Sequence, residues 1–119
     1  MKKLTKEMVE CLQKDLPDVA TKPHPSKSYL TSIKPIYVTE KFNKVFGHGQ
    51  WKARAEIIER VEKMVVIKVI FEVEEYGIYI EQFGGNDNPD LGDAYKGAMT
   101  DGLTKIASYL SIGRKIYAS

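Results

Sequence analysis

Two histidines, His24 and His48, and one cysteine, Cys11, are the soft metal ligands of this 119-residue chain. No pair of them has zinc-site spacing. No glycine-rich loop ends in Gly-Lys-Ser/Thr, so the sequence offers no ATP hydrolysis, and no Gly-x-Ser-x-Gly elbow is present. Glu74 and Glu75 are adjacent carboxylates, but at an expected hairpin tip, where they read as solvating charges rather than an acid–base pair. The segment GGNDNPDLG, residues 84–92, places Asn86, Asn88 and Asp90 at alternate positions. As a calcium loop it fails, because Leu91 and Gly97 stand where glycine and glutamate are required. The expectation is a chain with no catalytic residues, no metal and no cofactor, and therefore not an enzyme.

What remains is the chemistry of fixed positive charge. The formal net charge is only +2, but it is unevenly spread. Residues 1–60 hold twelve Lys or Arg against seven Asp or Glu, and residues 61–119 hold six against nine. A basic front half is compatible with a polyanion partner. The surplus is modest for a binder of duplex DNA, and assembly of many copies along one groove would add such patches together.

These charges need elements to position them. Length suits one domain, residues 1–119, and 43% apolar residues make it globular. The lone cysteine fits a reducing cytoplasm. Met-Lys-Lys opens the chain without a following apolar run, and the longest apolar runs are far too short to cross a membrane.

Gly92–Arg114 reads as one long helix. Tyr95, Met99, Leu103, Ile106 and Leu110 form an apolar stripe for packing, and Ala94, Ala98 and Gly102 form a ridge with almost no side chain, which lets a backbone lie very close to another surface. Asp93 is the expected N-cap and Gly113 the expected stop. Leu4–Leu16 reads as a short helix capped by Thr5, with Met8, Leu12 and Leu16 inward. Cys11 goes with them as a small buried hydrophobe. Asp18–Lys34 reads as a connector, in which Tyr29, Leu30 and Ile33 are anchors. Pro35–Phe46 reads as a second helix with Pro35 in its first turn and Gly47 as its stop. Trp51–Val61, Met64–Glu74 and Ile78–Phe83 alternate as strands, the second carrying Val65, Ile67, Val69, Phe71 and Val73 on one face. Gly84–Gly92 reads as a turn-rich connection. The expected fold is α+β: a three-stranded antiparallel meander packed against a long C-terminal helix, with two short helices before it.

Three segments, LTKEMVECLQKDLP, YVTEKFNKVFGHGQW and KGAMTDGLTKIASYLSIG, together with the closing IGRKIY, resemble the N-terminal annealing domain of the Rad fifty-two family of recombination proteins and its bacterial and phage DNA-damage-response relatives. The third is similar to the family's Lys-x-Ala-x-Thr-Asp-Gly/Ala-Leu-Lys-Arg-Ala signature. The resemblance implies a β-β-β-α fold, rings or helical assemblies, and binding of single-stranded DNA with annealing of complementary strands without ATP. It implies a cytoplasmic protein of a bacterial or phage-infected cell, acting in recombination and repair with no membrane partner. The chain stops soon after the long helix, without the tail by which eukaryotic members meet a recombinase.

Position by position, the resemblance implies DNA contacts at Lys96 and Lys105, with Thr104 in place of a family lysine, Tyr37 in place of a groove arginine and His48 in place of an aromatic. Lys34, Lys41, Lys52 and Arg54 are nearby cations that compensate, and Arg114 belongs to the closing motif. Two other readings of the residues stay open. One is a small ligand-binding or enzyme domain using the sheet cavity, and the other is a structural module whose partner is itself.

Overall fold

The structure, a computed structural model, describes residues 1–23 and 31–114. The expected anchors Tyr29 and Leu30, together with His24, Lys27 and the last residues of IGRKIY, lie outside the described residues. Along the chain run α1 (Lys6–Gln13), β1 (Thr21–Pro23), β2 (Thr31–Ile33), α2 (Pro35–Phe46), β3 (Lys52–Val61), β4 (Met64–Val73), β5 (Ile78–Asp87) and α3 (Leu91–Tyr109). The sheet β3-β4-β5 is an antiparallel meander, and α3 packs over β4 and β5, as the alternation predicts.

β4 is the centre of the fold. Val65, Ile67, Val69, Phe71 and Val73 are all buried on the face that meets α3 and α2. Burial of each such side chain contributes about 1.5–3 kcal/mol. At one end of the sheet Phe42 of α2 stacks 4.6 Å from Phe71 and 5.2 Å from Trp51. The Trp51 indole N–H donates to Asn43 Oδ1 at 2.8 Å, so the only tryptophan ties α2 to the start of β3. The short path between them turns through Gly47 and Gly49, at φ 97° and 75°.

Several boundaries differ from the sequence reading. Asp18–Lys34 is more than a connector, because β1 and β2 pair antiparallel from Thr21↔Ile33 to Pro23↔Thr31. Strands of three residues have no periodicity to detect. The connection after the third strand is shorter than expected, because β5 continues to Asp87 and pairs with β4 up to Met64. Asp90, rather than Asp93, caps α3, its carboxylate accepting from the Asp93 N–H at 2.9 Å. Thr5 caps α1 as expected, accepting from the Met8 N–H at 3.1 Å. Gly113 is not the stop of α3. The helix ends at Tyr109, and Ser111 takes the left-handed position at φ 68°. Ile112 N–H donates to the Ala107 carbonyl and Ser111 N–H to the Ser108 carbonyl, the Schellman arrangement.

The packing face of α3 carries both features legible in its residues. Ala94, Ala98 and Gly102 are fully buried, together with Ile106 and Ala107, while Tyr95, Met99, Leu103 and Leu110 are only half-buried. The small ridge makes the close approach to the sheet that its lack of side chains allows, and the larger stripe packs against the core beside it. The reason is Gly84 in β5. A Cβ there would run into the Ala98 carbonyl oxygen and stand 2.7 Å from the Gly102 nitrogen. A Cβ on Gly102 would in turn stand 3.0 Å from Val69 Cβ. Two glycines facing each other bring backbone almost onto backbone, and the bulkier residues are left to either side.

Candidate functional site

The motif KGAMTDG at residues 96–102 lies wholly within α3, and its residues divide into two groups. Ala98 and Gly102 make the close approach to Gly84. Asp101 closes the edge of β5: its Oδ2 accepts from the Gly85 N–H at 3.0 Å. Lys105, one turn on, pairs with Asp101 at 3.1 Å and donates to the Phe83 carbonyl at 3.3 Å. Two outward-pointing backbone groups of an edge strand are thereby satisfied by side chains of the helix above it. Lys96 belongs to the other group. It is exposed, and its side chain makes no hydrogen bond or ion pair among the described residues.

The remaining expected contact residues are spread over the molecule. Thr104 turns its hydroxyl back to the Thr100 carbonyl at 2.9 Å. Lys34 precedes α2, where its backbone N–H donates to the Ala20 carbonyl at 2.7 Å, and Tyr37 is half-buried one turn later. His48 is exposed in the turn before Trp51, and Arg114 is exposed beyond the end of α3. Lys41 departs most from the expectation of an exposed groove cation. It is buried, and its ammonium donates to the Cys11 carbonyl at 2.8 Å, joining α2 to α1. Burial holds its pKa below the ordinary lysine value, and the charges of Lys44 and Lys14 act in the same direction. Cys11 itself is half-buried.

Lys52 and Arg54 lie on the sheet face away from α3. Arg54 bonds Glu56 at 3.1 Å, Glu56 pairs with Lys68 at 3.5 Å, and Lys68 reaches Glu81 at 3.8 Å. The Tyr79 hydroxyl donates to Glu81 at 2.7 Å, which raises the phenol's pKa. The charge of Lys68, followed by the Arg54 hydrogen bond, holds the Glu56 carboxyl below its ordinary value. Lys52 stands opposite Glu72 in the ladder and makes no ion pair among the described residues. Cations and carboxylates therefore alternate over this face. It is a balanced lattice, not a basic stripe. Ile70 lies beneath it, 1% exposed although it faces away from the core.

Among the described residues no three His, Cys, Asp or Glu side chains stand close enough to hold a metal ion, and no helix is long and apolar enough to cross a membrane. The roles of Lys41, Asp101 and Gly84 are absent from the sequence reading. Only Asp101 left a signal, its spacing of four from Lys105, which on a helix makes an ion pair. Compared with known proteins, the chain matches no family model and no curated sequence.

Proposed function

We propose that this chain binds single-stranded DNA and anneals complementary strands without ATP, as a homo-oligomer in a ring or helical assembly. Its setting is recombination and repair in a bacterial or phage-infected cytoplasm. The observation that carries the reading is Lys96. The resemblance rests most heavily on the 96–102 motif, and folding accounts for Ala98, Asp101 and Gly102 there. It does not account for Lys96, whose charge has no partner among the described residues and faces solvent. A cation that folding leaves unpaired is free to meet a phosphate. Backbone-tracking charge that leaves bases exposed is what annealing needs. Lys105 is a lesser contributor, because Asp101 already neutralises it.

The test is fluorescence anisotropy of a labelled oligonucleotide over a salt series. Lys96→Ala should weaken binding regardless of base sequence and lower the salt slope by about 0.7, the share of one phosphate on a single strand. Lys105→Ala should weaken it less. The control is Lys14→Ala, on the segment that follows α1. Equal losses of affinity at Lys14 and Lys96 would mean diffuse electrostatics and no site at α3. The balanced lattice around Arg54 and Glu56 favours a second reading, a structural module that assembles with itself. Absence of single-strand binding at low salt, with assembly retained, would put that reading first.

A further inference from the structure

The two edges of the sheet are unequal. On β5 the backbone groups of Phe83 and Gly85 point away from β4, where Lys105 and Asp101 engage them; the Phe83 N–H is also taken, by its neighbour Gln82. By the period of two, the other outward groups along that edge belong to Tyr79, Glu81, Asp87 and the Gly85 carbonyl, so the engaged groups interrupt it in the middle. On β3 nothing among the described residues covers the edge. The antiparallel register gives its polarity: Phe83 is opposite Lys68, and Lys68 is opposite Glu56. If Phe83 points out, Lys68 and Glu56 point toward each other, so the outward groups of β3 belong to Ala53, Ala55 and Ile57. Ile57 is 65% exposed although Ile67, opposite it, is 2% exposed.

We propose that β3 pairs antiparallel with β3 of a second copy about a two-fold axis through Ala55. This gives a six-stranded sheet in order 5-4-3-3-4-5. Charge selects the register. Centred on Ala55, Arg54 stands opposite Glu56 of the second copy, twice over by symmetry, and Ala53 stands opposite Ile57. A slip of two residues either way, which keeps the same faces together, sets Arg54 against Arg54 or Glu56 against Glu56. Like charges directly opposite are destabilising and opposite charges favourable. The lattice on the outer face then runs unbroken across the axis, Lys68–Glu56–Arg54 in each direction. The irregularity between Ile57 and Glu59, a bulge at Ile58, ends the pairing after residue 57, so residues 53–57 make up its whole length.

The head-to-tail alternative is weaker. It would set β3 beside β5 of the next copy. Within the sheet these two strands run parallel, parallel pairing is the less stable kind, and Lys105 and Asp101 already occupy the middle of the β5 edge at Phe83 and Gly85. A ring or helical assembly would then be built from two-fold dimers. The inference rests on the self-association in the proposed function but not on DNA binding. Its test uses no DNA, so either can fail alone.

A cysteine at the axis is the decisive probe. Residues directly opposite in such a pair have Cα atoms about 5.5 Å apart, within the roughly 4.4–6.8 Å reach of a disulfide. Ala55→Cys, oxidised with oxidised glutathione, should give a covalent dimer on a non-reducing gel. The wild-type chain, whose only thiol is Cys11, should not. Ala53→Cys should not either, but Ala53→Cys with Ile57→Cys should. Light scattering of the wild type should give an even multiple of 13.5 kDa. Ala55→Pro removes only an outward N–H and leaves the ladder to β4 intact, so it should halve that mass or more, with circular dichroism unchanged. A monomeric wild type, an odd multiple, or an Ala55→Cys chain that stays uncrosslinked would overturn the proposal.

Discussion

Replacing Gly84 with alanine tests the close approach that sets the position of α3. The added methyl would overlap the Ala98 carbonyl oxygen and stand 2.7 Å from the Gly102 nitrogen and 3.0 Å from the Ala98 carbonyl carbon. All three are backbone atoms of α3, so no rotamer change relieves the overlap and the helix itself must move. Restoring ordinary contact at 3.4 Å to the Gly102 nitrogen needs a lift of about 0.7 Å, and clearing the closer Ala98 oxygen needs more, so 0.7 Å is the least the helix must move. A gap of that size forfeits roughly a quarter to a half of the dispersion well for each atom pair along the ridge. Overpacking of this kind costs about 1–3 kcal/mol, and the lost freedom of glycine in the unfolded chain returns roughly 0.5–1 kcal/mol. With backbone on both sides the upper end applies, a net loss of about 2 kcal/mol. For a chain of this length that lowers Tm by roughly 6–10 °C. Gly85→Ala is the comparison, because its methyl would meet Met64 Cε at 3.2 Å, the free end of an exposed side chain that can swing away. Thermal melts of both variants decide it. Equal Tm values would refute the view that α3 rests on backbone at Gly84.

Three further outcomes follow from single residues. Ser111→Gly should raise Tm by a few degrees, because glycine adopts the left-handed position at the end of α3 without the roughly 1 kcal/mol penalty of a side chain. Lys41 binds its proton less well in the folded chain than in the unfolded one. As pH rises from its lowered value toward 10.5 the unfolded state holds more protons, so stability should rise through that window. Urea midpoints of wild type should gain on those of Lys41→Met over that range, and parallel curves would remove Lys41 from the account. Lys96→Ala should leave stability within about 0.5 kcal/mol of wild type while weakening single-strand binding, since an exposed unpaired lysine contributes little to folding. A large drop in Tm would assign Lys96 to the fold.

Elements with a strong period could be read directly from the residues. β4 alternates Val65, Ile67, Val69, Phe71 and Val73, and a half-buried strand needs nothing more to declare its inner face. α2 has Pro35 in its first turn and Gly47 at its end, and its observed span matches the expected one. The β-β-β-α order followed from such local signals. The surface that meets the ridge of α3 did not. Both an apolar stripe and a small ridge were visible on α3, and the ridge left room for a close backbone approach. Gly84, more than a dozen positions earlier, supplies the backbone surface that only the ridge could meet. The lysines behaved in the same way. By type Lys41, Lys96 and Lys105 are equivalent cations, and sequence treats them as one class of phosphate contact. Tertiary structure separates them, because Lys41 meets the carbonyl of Cys11, Lys105 meets Asp101 and the edge of β5, and Lys96 meets solvent. A charge takes its role from the group that lies within hydrogen-bond reach, and for Lys41 and the edge of β5 those groups come from other elements.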